Sequence, residues 1–124
     1  MHLIIGGAYQ GKEAYARKHF GLSEGEVFSC SRDILDFSRP CVRNIEEYIY
    51  GCLLREEDPV EVFRGRREEW DQCVLILTDI SGGIVPMDKD DRRWREACGM
   101  LSRYLVQEAQ TVTRIFCGLE QRLK

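Results

Sequence analysis

The first fifteen residues constrain the fold more than any other stretch of this chain. Leu3, Ile4 and Ile5 form a short continuous apolar run, the pattern of a strand buried on both faces. The run stops at Gly6-Gly7, and Gly11-Lys12 follows after a few loop residues. Ala14, Tyr15, Ala16 and Phe20 then start a helical period that ends at Gly21. Strand, glycine loop, lysine and helix are the layout of a phosphate-binding P-loop. Glycines let backbone N–H groups turn inward as an anion nest, and the helix N-terminus adds partial positive charge. Lys12 is expected to bring a mobile ammonium to the outer phosphates. The spacing Gly6-x-x-x-x-Gly11-Lys12 fits, but Glu13 stands where a Ser or Thr hydroxyl would ligate Mg²⁺. A carboxylate can also ligate Mg²⁺, yet it sets negative charge beside a triphosphate. The plain alternative is a strand-to-helix turn with a surface lysine and no ligand.

A length of 124 residues, 44% of them apolar and 31% charged, predicts one domain over residues 1–124 with a real core. The net charge of −3 argues against a nucleic-acid partner gripped by a broad basic surface. No apolar run is long enough to span a bilayer, and the start of the chain has no signal-peptide layout. The cysteines at 30, 41, 52, 73, 98 and 117 form no Cys-x-x-Cys pair. They are expected to be free, buried and hydrophobe-like, which points to a reduced, cytoplasmic compartment. His2 and His19, the only histidines, have no sequence neighbours that would make them catalytic or metal-binding.

Along the chain, residues 22–26 read as a polar turn and Val27 to Cys30 as a second strand. Ser31 to Arg39 reads as a loop with room for one helical turn. Pro40 is placed to open a helix over Val42 to Arg55, carried by Ile45, Tyr48, Ile49, Cys52 and Leu53. Asp58-Pro59-Val60-Glu61 is a helix start with cap and capping-box spacing, and that helix is expected to carry Val62, Phe63 and Trp70. Its arginines, Arg64, Arg66 and Arg67, read as a solvated face. Cys73 to Thr78 is the clearest strand, ending in Asp79, an acid placed as the Mg²⁺-holding carboxylate of P-loop proteins is placed, or else a turn cap. A glycine loop, residues 81–86, follows at the carboxyl edge of the sheet, where open α/β folds bind ligands. A long helix begins near Asp88, with Trp94, Ala97, Cys98, Leu101, Leu105 and Ala109 on its buried stripe. Thr111 to Cys117 is the last strong strand, and Leu119 to Leu123 a short edge strand. The alternation predicts an α/β fold with a mainly parallel sheet.

Thr78-Asp79-Ile80-Ser81-Gly82-Gly83-Ile84-Val85-Pro86 resembles the loop of the adenosylcobinamide kinase/adenosylcobinamide-phosphate guanylyltransferase family of cobalamin biosynthesis, where Thr-Asn-Glu-Val-Gly leads into Gly-Ile-Val-Pro. The likeness runs on through Arg92, Arg95, Gly99, Leu105 and Ala109 to Gly118. Gly6-Gly7-Ala8-Tyr9-Gln10-Gly11-Lys12 is similar to that family's Gly-Gly-Ala-Arg-Ser-Gly-Lys-Ser loop. The resemblance implies a P-loop NTPase-like, RecA-related three-layer αβα fold. It implies a purine nucleotide, GTP or ATP, with Mg²⁺, phosphorylation of a corrinoid hydroxyl, guanylylation through a histidine, and often a cyclic homo-oligomer. It carries Gly6, Gly7, Ala8, Gly11 and Lys12 over to the phosphate loop and Gly83, Ile84, Val85 and Pro86 to the loop near the nucleotide; Tyr9, Gln10 and Glu13, within the same phosphate loop, are further candidates for nucleotide binding. Lys12 and Asp79 would then be the catalytic pair, with Glu13 or Asp79 on Mg²⁺. The chain departs from the family at Glu13, at the loop one residue short around Asp79, at Ser102-Arg103 in place of Asn-Gln, and in a much shorter middle. That shortening takes away the guanylylated histidine and, on this reading, one strand with its acid. The expectation is a minimal member without the guanylyl step; a paralogue that binds without catalysing is the alternative.

Overall fold

The structure, a computed structural model, describes residues 1–80 and 89–124. The opening apolar run is β1 (His2–Gly6), followed by α1 (Lys12–Phe20) and its αL stop at Gly21. A 3₁₀ turn at Glu24–Glu26, closed by a Ser23/Glu26 capping box, leads into β2 (Val27–Ser29). Next come β3 (Cys41–Arg43), α2 (Ile45–Leu54), α3 (Pro59–Gly65) and α4 (Arg67–Trp70). The chain continues as β4 (Val74–Thr78), α5 (Lys89–Glu108), β5 (Thr111–Phe116) and β6 (Leu119–Arg122).

The strands form one six-stranded sheet in the order β2-β3-β4-β1-β5-β6, parallel except for the β5–β6 hairpin. Alternation along the strands sorts two cores. Leu3, Val42, Leu75, Leu77 and Val112 face a large cluster with Ile45, Ile49, Phe63, Trp70, Leu101 and Leu105. Ile4, Val74, Ile76 and Ile115 face the other way, onto Ala16 of α1. Helices therefore cover both faces of the sheet in an αβα arrangement, and β1 lies between β4 and β5 with both faces buried. Among the described residues, no helix is long and apolar enough to cross a membrane.

Two sequence expectations are corrected here. Pro40 does not open a helix. It precedes β3, and its carbonyl accepts the Val74 N–H at 2.8 Å. Proline has no N–H to give a ladder, so it is tolerated just ahead of a strand. Cys41 and Val42, fully buried, continue the sheet, and the helix starts only at Ile45. The strand missing from the sequence count is thus present, only three residues long. Second, the helix expected to run from Asp58 to Trp70 is broken at Arg66 (φ −112°, ψ 22°) into α3 and α4. Ser31 to Arg39 is loop, as expected, and does not use its room for a helical turn. The Asp58 cap is as expected, its side chain accepting the Val60 N–H at 2.9 Å. The proposed loop residues Gly83 and Pro86, and the helix start near Asp88, lie outside the described residues.

Candidate functional site

β1 brings Gly6 to the carboxyl edge of the sheet, where the Asp79 N–H donates to its carbonyl at 2.7 Å. A Cβ on Gly6 would stand 2.5 Å from the Ile115 carbonyl oxygen, so only glycine fits between the flanking strands. The chain then leaves the sheet. Tyr9 takes a left-handed φ of 60° and is fully exposed. Gly11, at φ 93°, turns the chain into α1 as its N-cap. The loop is tied down on its far side, where the Cys117 N–H donates to Gln10 Oε1 at 2.5 Å and the Gly118 N–H to the Gln10 carbonyl at 2.9 Å.

Ala8 and Tyr9 form a turn between Gly7 and Gln10, and among the described residues the amide N–H groups of Gly7 to Tyr9 and of Gly11 to Ala14 have no hydrogen-bond acceptor in the protein. The last of these belong to the unpaired first turn that every helix has; the earlier ones are supplied by the loop. Lys12 begins α1 and is buried, 8% exposed, with Nζ donating to the Gly7 carbonyl at 2.6 Å. Its ammonium thus folds back across the loop. Burial lowers its pKa, the Glu46 carboxylate works in the opposite direction, and Arg43 lowers it further.

Ala8, Gly11, Lys12 and Glu13 of this loop line a cavity of about 390 Å³ together with Arg43, Glu46 and Thr78. Glu13 is held by Arg43 at 2.7 Å, a pair more than a third exposed on both sides and therefore worth only about 0.2–1 kcal/mol. Glu46 lies in the first turn of α2 and is 7% exposed; its Oε2 makes no hydrogen bond. Its backbone carbonyl accepts the Trp94 indole N–H at 2.8 Å, which pins the start of α2 to α5.

Asp79, exposed beyond the end of β4, lines a different hollow of about 90 Å³ with Ile80, Arg95, Cys98 and Ser102. Thr78 borders both spaces. The structure therefore brings Lys12, Glu13, Gly11 and Ala8 together and sets Asp79 on the neighbouring side of Thr78. A third hollow, about 700 Å³, runs from Gly11 past Tyr15 and His19 to Gly118 and Glu120. Among the described residues, no group of three or more His, Cys, Asp or Glu side chains is placed to hold a metal ion.

Sequence reasoning missed Arg43, Glu46 and Thr78 at this cavity. Glu46 and Glu47 are adjacent acids in the first turn of α2, and only packing separates them: Glu47 is exposed. Arg43 was hidden because β3 was read as helix. Comparison with known proteins adds no name to this geometry: no family model matches the chain, and no curated protein matches it.

Proposed function

We propose that this protein is a P-loop NTPase-like domain that binds the phosphates of a purine nucleotide in the loop from Gly6 to Glu13 and transfers the terminal phosphoryl group to an alcohol. The resemblance to the cobinamide kinase family makes a corrinoid hydroxyl the proposed acceptor, and an assembly of identical subunits belongs to the same proposal. The observation that carries this reading is a set of amides at Gly7 to Tyr9 and Gly11 to Ala14, unpartnered among the described residues, in the same loop as a buried lysine. Unpaired backbone donors gathered at a helix N-terminus favour an anion. The Lys12 ammonium needs only to exchange the Gly7 carbonyl for a phosphate oxygen, giving up one neutral hydrogen bond for a charge-assisted one. In the transfer, the acceptor oxygen forms the new P–O bond as the bond to the bridging oxygen breaks. The nucleoside diphosphate leaves, and the hydroxyl proton passes to water. Loop amides and Lys12 stabilise the charge on the moving group, and such positioning and charge stabilisation carry most phosphoryl-transfer catalysis.

A divalent cation fits this cavity, because the orphaned Glu46 oxygen leaves a buried acceptor without a donor. When bound, Mg²⁺ would neutralise phosphate charge. Glu13 and Glu46 are the carboxylates on the cavity wall that could hold it. No histidine step is proposed. His2 Nδ1 is 2.7 Å from Thr111 Oγ1 at the amino end of β1, and His19 sits in the last turn of α1.

The test is a thermal shift with GTP and with ATP at millimolar concentration, with Mg²⁺, followed by an assay for phosphorylated cobinamide. Ligand at a hundredfold excess over Kd stabilises by about 2.7 kcal/mol, a shift of several degrees, and Lys12→Ala should abolish it. No shift in the wild-type protein overturns the proposal. Glu13 in place of the P-loop hydroxyl favours a second reading, a module that binds nucleotide without transfer; stabilisation without a phosphorylated product would select it.

A further inference from the structure

We infer that Glu46, rather than Glu13 or Asp79, is the carboxylate that takes the divalent cation accompanying the nucleotide. The inference rests on the phosphate-binding reading of the loop and names the cation seat within it. An anionic oxygen so buried and without a donor is costly unless a cation or a hydrogen-bond donor arrives. The neighbouring ammonium makes no hydrogen bond to this oxygen: Lys12 Nζ donates to the Gly7 carbonyl and acts on Glu46 only through space. Glu13 already has its cation in Arg43 at 2.7 Å. A metal ion on Glu13 would stand beside the Arg43 guanidinium, like charge against like. Asp79 lines the neighbouring hollow instead.

Glu46 is also held in place. Ile45 and Ile49 are fully buried on either side of it, and the Trp94 indole fixes its carbonyl. Thr78, on the wall of the same cavity, brings a neutral hydroxyl of the kind the loop itself lacks at position 13. Hard divalent cations take oxygen ligands of both sorts and keep several waters. The charge balance points the same way. Among the described residues on its wall, Lys12 and Arg43 are matched by Glu13 and Glu46, so they offer a polyphosphate no net positive side-chain charge until a cation joins them.

The experiment measures Kd for GTP with Mg²⁺ and with EDTA, in the wild type, Glu46→Gln and Glu13→Gln, alongside the melting temperature of each protein without ligand. Wild type should bind about tenfold or more tightly with Mg²⁺, a change of ~1.4 kcal/mol. Glu46→Gln should lose that increment yet bind GTP in EDTA at least as tightly as wild type, because one negative charge has left the cavity. Glu13→Gln should keep the increment. If Glu46→Gln unfolds, Glu46→Asp replaces it, with a weakened increment expected from a carboxylate withdrawn by one methylene. A full Mg²⁺ increment in the Glu46 variant overturns the inference. Equal wild-type affinity with and without Mg²⁺ also overturns it, while the loop reading stands. Absence of GTP binding under both conditions overturns the loop reading and the inference with it.

Discussion

A lysine 8% exposed is a costly residue to bury, and Lys12 is tolerated because its ammonium reaches a carbonyl of its own loop. The contact is local, between residues five apart, so it can be released without disturbing the core. His2 shows the same physics with a readout in pH. Its pKa is lowered from the ordinary 6.5, first by burial and then by the charge of the N-terminus. The folded protein therefore binds the His2 proton less readily than the unfolded chain. The stability contributed is full above 6.5 and is lost as pH falls below it. Urea unfolding across that range should show wild-type stability declining toward acid, with a shallower decline in His2→Gln; parallel slopes would remove His2 from the linkage. Gly6, Gly11 and Lys12 were legible in the sequence because their spacing is itself a chemical requirement. Glu46 was not, because nothing in a first-turn acid pair says which member the fold will bury.

Among the elements, the β5–β6 turn does more than the sequence suggested. Cys117, at φ 51°, and Gly118, at φ 77°, reverse the chain, and their amides hold Gln10 of the phosphate loop. All six cysteines are free, as expected, but Cys117 is exposed, a correction to the expectation that all were buried. Apolar spacing marks the interior of a strand but not the turn at its end. Burial pushes the thiols of Cys30, Cys41 and Cys98 up to about 12 and raises Cys52 and Cys73 as well. Thiolate is the reactive form, so an aromatic disulfide reagent near pH 8 should label one thiol of the native protein, Cys117, and six after unfolding. Rapid labelling of a second native thiol would contradict the burial described here. α3 and α4 show the limit of reading helices from spacing. Phe63 and Trp70 fall on one helical stripe, yet the chain bends between them. The bend lets the Trp70 indole donate to the Phe63 carbonyl at 2.8 Å, with both rings fully buried.

For the whole molecule, β1 is the hub: it pairs with β4 and β5 and has a core on each face. β6 is the opposite case, an edge strand exposed along its whole length. Local opening follows burial and contact density. Hydrogen exchange should find the amides of Leu3 to Ile5 among the slowest and those of Leu119 to Arg122 the fastest of any strand. Equal rates would mean that the sheet opens as one unit. Apolar runs, glycine punctuation and helical spacing by themselves determined the alternation of strands and helices and the loop at Gly6–Lys12, because these depend on neighbours close in sequence; the mainly parallel sheet follows from that alternation through the crossovers it demands. Three things were decided only by the tertiary structure: β3 as a strand, the separation of Asp79 from Glu13, and the burial of Glu46 beside Lys12. Each depends on which distant segments pack together: β4 beside Cys41 and Val42, and Trp94 of α5 against the start of α2.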